Sequence, residues 1–407
     1  MTTAVFVFLG GVCPEERGDD HDPPSRTDAS TRTHAITEER ERRTDAITLP
    51  LGSLRAAAKN TESSMAKREY DLVVFGATGF TGREVCFHLA ELRSLRAPVR
   101  WAVAGRCRAK LLTLCEEIER LSTRGEWCFD QALSLPDGIL VGDVEDEATL
   151  RSEVTAKTRC LLNCTGPYRF LGEPVVAACI ATGTDYLDLC GEPEFMDRIF
   201  LKYHAAAEAA SVFVVHACAF DSVPADLGVL FTATEAFCSP AICTSIESYL
   251  TVTSGAAGMA GHVTTFAAAV HGFGSVKQLA LLRRQIQASA PPRPAPIGGA
   301  QALHPRRPVP WFWSNVARQY ALKFPGADAA VVRNSQRGLL ALAHSHADPM
   351  VLHAVRRKIP QYSAYFTVGR SLWSCVKTVV IGGVFSFLAA REWGRKLLLR
   401  CHSLSEC

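Results

Sequence analysis

The chain has 407 residues, 48% of them hydrophobic and 21% charged, with a net charge of +3. That length supports two domains with real cores, and so small a positive balance leaves no electrostatic footprint for nucleic acid. Its 15 cysteines are scattered and form no C-x-x-C pairs, which reads as buried thiols in a reducing compartment and not as a disulfide scaffold.

In chain order, a short apolar run comes first, at residues 4–12. No Lys or Arg precedes it, so the positive n-region of a signal peptide is missing. From Pro14 to about Ala66 the residues are polar and charged with no sustained period. Such a stretch buries too little apolar surface to offset its ordering entropy. Residues 1–68 are therefore expected to form a disordered extension, with Met65 as the start of the compact protein.

A regular alternation follows. Apolar runs at 71–75, 100–104, 138–141, 160–164, 185–188 and 212–216 read as strands. Helical stretches lie between them at 83–92, 111–121, from Glu147, 173–182 and 196–210. Strands alternating with helices imply a parallel sheet covered on both faces. After Val223 the texture changes. Residues 244–253 read as a half-exposed strand, 263–285 as a helix, 290–310 as a Pro-rich loop and 320–324 as a strand. Asp328 is expected to cap the helix after it. Residues 378–390 are apolar and flanked by Lys377 and Arg391. At about 1.5 Å per residue they span roughly 20 Å, short of a bilayer core of roughly 30 Å. They read either as a buried core helix or as a surface-seated segment anchored by Trp373, Trp393 and nearby cations. The expected domains are 69–223 and 224–399, the second with a loop at 288–310, followed by a tail at 400–407.

The chemistry concentrates in Gly76-Ala77-Thr78-Gly79-Phe80-Thr81-Gly82, which follows a strand and opens a helix. Glycines let backbone approach a pyrophosphate, and the helix start supplies free N–H groups and a positive dipole end. The strand–loop–helix context makes this a dinucleotide signal. The second strand ends in Ala104-Gly105-Arg106, with Arg108 and Lys110 close behind, where an NAD site usually has a carboxylate. A guanidinium pairs with a 2′-phosphate through its fork of donors. Arg106 and Lys110 therefore favour NADP over NAD; the bland alternative is a pair of solvated helix-start cations. Asp143, ending the third strand, reads either as a contact on the adenine side or as a turn residue. Thr165-Gly166-Pro167-Tyr168 ends the fourth strand, where the loop can approach the nicotinamide ribose and Tyr168 can cover the ring. The alternative for Pro167-Tyr168 is a rigid turn with a packing aromatic.

These blocks, with Leu162-Asn163-Cys164, Tyr186-Leu187-Asp188-Leu189-Cys190-Gly191-Glu192, Phe220-Asp221-Ser222-Val223-Pro224-Ala225-Asp226 and Phe324-Pro325-Gly326-Ala327-Asp328, resemble the saccharopine dehydrogenase-like oxidoreductases. The resemblance covers nearly all of 70–399. It implies an α/β fold: a Rossmann-type parallel sheet followed by an α+β, saccharopine-reductase-like domain. It also implies relatives on lipid droplets and membranes, and bacterial trans-acting enoyl reductases of lipid and glycolipid synthesis. Lysine breakdown is not implied. Ala219 stands where the family has glycine, and Gly261-His262-Val263-Thr264-Thr265 departs from an expected Gly-Thr. Relatives continue past Leu399 with a further strand and helix, so a C-terminally shortened second domain is expected.

Hydride reduction needs a proton source, and Tyr186 and Asp188 are the catalytic candidates; the competing role is hydrogen bonding around the Gly191 turn. Asp221 reads as a cap for the helix after Pro224. His262 stands at a probable helix start, where a neutral imidazole fits. No triad or metal-ligand cluster is visible, which leaves the chemistry to a cofactor. The expected function is an NADP-dependent oxidoreductase of a lipid-like carbonyl, imine or enoyl group. The alternative is a non-catalytic lipid-droplet or membrane-surface protein that keeps the dinucleotide scaffold. Expected partners are a small-molecule or lipid-like substrate, a lipid-droplet or membrane surface reached through 378–390, and a second copy in a homo-oligomer. The expected location is a lipid droplet or cytoplasmic membrane surface, with cytosol and mitochondrion as alternatives.

Overall fold

Val73 and Phe75 point to one side of a strand and Val74 to the other, and all three are buried. In the computed structural model, which describes residues 3–13, 68–95, 99–124, 134–220, 222–236, 242–253, 262–289, 311–345 and 359–405, that strand is the centre of a parallel sheet. Its members are β2 (Tyr70–Phe75), β3 (Trp101–Gly105), β4 (Gly138–Val141), β5 (Thr158–Asn163), β6 (Asp185–Asp188) and β7 (Val214–Val215), in the order β4-β3-β2-β5-β6-β7. All five pairings are parallel. This is the doubly wound order, and it reverses between β3 and β5, on either side of β2.

Helices cover both faces. α1 (Phe80–Leu95) and α2 (Arg108–Arg124) pack Cys86, Phe87, Leu111, Leu114 and Ile118 over Val74, Trp101 and Val103. On the other face, α3 (Tyr168–Thr182) and α4 (Pro193–Ala209) pack Val175, Val176, Phe195 and Ile199 over Val73, Phe75 and Leu161. Each such buried side chain contributes about 1.5–3 kcal/mol relative to an exposed one.

The chain then builds a mixed sheet. α5 (Val223–Phe231) leads to β8 (Ile242–Thr253), α6 (Val263–Gly274), α7 (Val276–Ser289), β9 (Trp311–Ser314), β10 (Gln319–Lys323), α8 (Asp328–Ser345), β11 (Gln361–Thr367), α9 (Leu372–Ala389) and α10 (Glu392–Ser405). With β1 (Thr3–Cys13) the sheet order is β1-β8-β11-β10-β9. Only β8 and β11 pair in parallel.

Four expectations are corrected here. Residues 3–13, assigned to a disordered extension, form an edge strand antiparallel to β8 from Thr3↔Thr253 to Cys13↔Ile242. Their apolar run gains a ladder only from a partner distant in sequence, which composition does not reveal. The single helix expected over 263–285 is two helices broken at Ser275, after two glycines, Gly272 and Gly274, which weaken a helix interior. A side chain at Gly274 would come within 2.6 Å of the Ala389 carbonyl oxygen, so α9 packs directly on this break. Asp328 is the first residue of α8, not the residue before it, and residues 400–405 continue α10 and do not form a loose tail. Residues 14–67, with Met65, Asp221 and the Pro-rich stretch 290–310 lie outside the described residues.

The apolar stretch 378–390 largely belongs to α9, an 18-residue helix of mean hydropathy 1.7. It is not a core helix: Trp373, Val380, Ile381, Val384 and Phe387 are exposed, and only Cys375 and Ala389 are buried. Phe385 on its inner side packs edge-on against Phe266 and Phe273 of α6.

Candidate functional site: a crevice at the carboxyl ends of the strands

Register brings the motifs to one edge of the parallel sheet. Phe75 pairs with Ala104 and with Asn163, Gly105 with Val141, and Asn163 with Asp188. The loops that follow these residues therefore share the crevice at the switch point.

Gly76 has φ +81°, a left-handed conformation that an L side chain resists, and a Cβ there would come within 2.6 Å of Thr165 Cγ2. Gly82 lies so close to the loop that a Cβ would sit 2.2 Å from the Gly76 carbonyl oxygen. Between them Thr78, Gly79, Phe80 and Thr81 are exposed. The N–H groups of Gly76 and Ala77 donate to Ala104 O and that of Gly79 to Gly76 O. Those of Thr78, Phe80, Thr81 and Gly82 have no partner among the described residues. Unpaired donors at the start of a sixteen-residue helix, with no acidic residue in its first turn, suit a pyrophosphate.

Arg106, Arg108 and Lys110 follow β3, all exposed and in no ion pair with a described residue. No carboxylate occupies the end of β3 or the first turn of α2. Asp143 accepts from the Glu145 N–H at 3.2 Å, and the next turn is capped by Asp146. Its observed hydrogen bond is that of a turn residue.

Across the switch point, Asn163 is fully buried, and its side chain organises the loop after β5. Oδ1 accepts from the Thr165 N–H at 3.0 Å and from the Thr165 hydroxyl. Nδ2 donates to Tyr186 OH at 3.1 Å, and Tyr186 OH donates to Asp188 Oδ2 at 3.0 Å. Asp188 Oδ1 accepts from the Cys190 and Ala217 N–H groups, while His216 Nδ1 lies 2.6 Å from Oδ2. Gly166 and Pro167 are joined by a cis peptide, and a Cβ on Gly166 would meet Thr264 Cγ2 at 3.1 Å.

Three expectations about this loop change. Tyr168 does not cover the crevice; its hydroxyl donates to Asn163 O at 2.8 Å and accepts from the Leu189 N–H, beneath the surface. Tyr186 and Asp188, the expected proton donors, are both fully buried and engaged with one another. Burial, then the Asp188 charge, raises the Tyr186 phenol well above its ordinary range, which makes it a poorer acid. The Cys164 thiol, pushed up to about 12 by burial and by Asp188, is no nucleophile either. These groups lie beneath the crevice and hold the ends of the strands together.

The mixed-sheet half closes on the crevice through α6. The His262 ring stacks on Phe80 with centroids 5.2 Å apart, and its Nδ1 accepts from the Thr264 N–H at the start of the helix. The far end of α6 is gripped by Arg169, which donates to His271 O at 3.2 Å and to Ser275 Oγ at 3.0 Å. Arg169 is held in turn by Glu192 at 2.9 Å and Glu194 at 3.3 Å, carboxylates that are 4% and 7% exposed.

The profile of the saccharopine dehydrogenase NADP-binding domain matches residues 72–215. A saccharopine dehydrogenase-like oxidoreductase from Rattus norvegicus is 36% identical over 339 residues, covering 82% of this chain and 72% of that protein. The chain belongs to the saccharopine dehydrogenase-like oxidoreductase family. The family member from Homo sapiens is likewise 36% identical over 339 residues, with the same coverage. A lipid droplet localized protein from Caenorhabditis elegans is 32% identical over 270 residues, 66% of this chain and 59% of that one.

For this family member, sequence reasoning missed Asn163, His216 and Arg169 as organisers of the site. The signal for the first two was present: polar residues ending consecutive strands of a parallel sheet converge on one edge. Arg169 had none, because its partners on α6 are fixed only by tertiary packing.

Proposed function

We propose that this protein is an NADP-dependent oxidoreductase whose substrate is a lipid-like or otherwise apolar carbonyl, imine or enoyl compound. The observation that carries the reading is the open glycine loop with unpaired N–H groups, set beside a β3 end that offers Arg106 and no carboxylate. When bound, a nicotinamide supplies or accepts hydride. Thr78 to Gly82 would hold the pyrophosphate, Arg106 and Lys110 a 2′-phosphate, and Thr165 to Pro167 the nicotinamide ribose side.

The apolar character of the substrate is supported by α9, whose exposed face is lined by Trp373, Ile381, Val384 and Phe387 and followed by Arg391, Lys396 and Arg400. Aromatic and basic anchors around an apolar face suit the surface of a lipid droplet or membrane. The name of the Caenorhabditis elegans relative agrees with that setting.

Fluorescence titration with NADPH and NADH tests the reading. Saturable binding that favours NADPH, with the preference reduced in Arg106→Ala, is expected. Absence of NADPH binding to the wild-type chain would remove its basis. One observation favours a second reading, a non-catalytic surface protein that senses the nucleotide: the side chains offered as proton donors are buried and occupied. Hydride transfer to any long-chain enal, ketone or enoyl thioester, followed by loss of NADPH absorbance, would decide against it.

A further inference from the structure

A buried carboxylate fixes the direction of every hydrogen bond in the chain that leads from β7 to the crevice. Asp188 accepts at both oxygens, Oδ1 from the Cys190 and Ala217 N–H groups and Oδ2 from the Tyr186 hydroxyl. Tyr186 OH must therefore donate to it, at 3.0 Å, which leaves the phenolic oxygen as the acceptor for Asn163 Nδ2 at 3.1 Å. With its amide nitrogen turned towards Tyr186, Asn163 presents Oδ1 to the loop. The Thr165 N–H independently demands an acceptor at that place, at 3.0 Å. The Thr165 hydroxyl is then committed as a donor to the same Oδ1. Its proton is used, and no described donor reaches its oxygen.

Thr165 stands half-buried at the carboxyl end of β5, with its methyl against Gly76 of the glycine loop. We infer that Thr165 Oγ1 is an obligate hydrogen-bond acceptor at the dinucleotide crevice, built to take an N–H or O–H donor from the nicotinamide half of the cofactor. The inference rests on the dinucleotide reading above and assigns to one atom a polarity that the local sequence does not contain. Two cofactor groups carry such a donor: the carboxamide nitrogen and a ribose hydroxyl. A phosphate oxygen or the carboxamide oxygen is excluded as the partner, since each only accepts.

The test compares the wild-type chain with Thr165→Val, which keeps the shape without the oxygen, Thr165→Ala as a second oxygen-free variant, and Thr165→Ser, which restores it. Each is titrated with NADPH and with reduced 3-acetylpyridine adenine dinucleotide phosphate, whose acetyl group lacks the carboxamide donor. Thr165→Val and Thr165→Ala should weaken NADPH binding about tenfold, and Thr165→Ser should recover most of it. If the donor is the carboxamide, the acetylpyridine analogue binds wild type and Thr165→Val alike; if it is a ribose hydroxyl, the analogue loses the same factor. A merely structural threonine would instead lower the melting temperature, leaving NADPH affinity unchanged in the folded fraction. NADPH affinity equal to wild type in Thr165→Val and Thr165→Ala overturns the inference. Absence of NADPH binding to the wild-type chain overturns the dinucleotide reading as well, and the two failures are distinguishable.

Discussion

Replacing Arg169 with methionine isolates the contact that ties α6 to the parallel-sheet half. The methionine stem fills similar volume, so the perturbation is chiefly loss of charge and of its donors. Arg169 is 11% exposed and faces Glu192 and Glu194 at 2.9 and 3.3 Å. Glu194 keeps a second guanidinium, Arg198, at 3.2 Å, whereas Glu192 keeps, among the described residues, only the Tyr168 N–H at 2.8 Å. The cost therefore falls on Glu192, left as a buried charge without a cation. Removing one partner of a buried pair costs about 3–5 kcal/mol, whereas an exposed pair contributes about 0–1 kcal/mol. At about 2–4 °C per kcal/mol for domains of this order of size, the melting temperature should fall by about 6–20 °C. Thermal unfolding followed by circular dichroism measures it. Adding Glu192→Gln should recover most of the loss, because a buried pair removed whole is often neutral. A single variant that melts within about 2 °C of wild type, a shift that corresponds to about 1 kcal/mol or less, or a double variant no better than the single one, would refute the reasoning.

Gly82→Ala places a Cβ 2.2 Å from the Gly76 carbonyl oxygen, so α1 must withdraw from the loop. NADPH affinity should fall at least tenfold while overpacking costs about 1–3 kcal/mol, read by titration and melting. Asp226 has its pKa raised by burial above 3.8, only partly offset by the Ser335 hydroxyl at 2.7 Å. With the folded value above the unfolded one, its contribution is fully present below the unfolded value and is lost as pH rises. Asp226→Asn should therefore melt higher than wild type near neutral pH, and the gap should close below about pH 4, where the wild-type carboxyl is protonated in both states; a gap independent of pH would contradict this. Ile381→Asp with Val384→Asp puts two charges on the exposed face of α9. Sedimentation with anionic phosphatidylcholine–phosphatidylserine vesicles should fall several-fold at unchanged melting temperature, and equal sedimentation would dissociate α9 from any lipid surface.

Legibility in the sequence followed the range of the forces. The parallel sheet could be read because each strand and its covering helix are local: Val73, Val74 and Phe75 are apolar in a row because both faces are covered. The glycine loop could be read for the same reason, since Gly76, Gly79 and Gly82 lie within one turn-and-helix unit. In the mixed sheet, β8 and β10 were visible but β1, β9 and β11 were not. β1 owes its order to β8, far along the chain, and β11 lies parallel to β8 across several intervening elements. Tyr168, Tyr186 and Asp188, expected to face the crevice, are buried. The residues do gather at the carboxyl ends of the strands, but Tyr186 and Asp188 lie within β6, where strand alternation turns both into the core, and the direction of Tyr168 depends on the loop conformation after β5. Asn163 draws the loop inward, and Tyr168 follows it under the surface.

One helix joins the two features on which the functional reading depends. At its start α6 touches the crevice, with His262 stacked on Phe80 and Thr264 against Gly166. Phe266, three residues on, packs against Phe385 of α9. At 1.5 Å per residue this contact lies only about 5 Å along the helix axis from Val263. Phe385, near the carboxyl end of α9, thus meets α6 within about one turn of the end that touches the crevice. A water-soluble substrate gains nothing from that proximity. An apolar one would, because leaving a lipid surface for bulk water costs about 25 cal/mol for every Å² exposed. Arg169 fixes the other end of the same helix, so loosening it should disturb cofactor affinity and lipid attachment together, whereas charges on the outer face of α9 should disturb attachment alone.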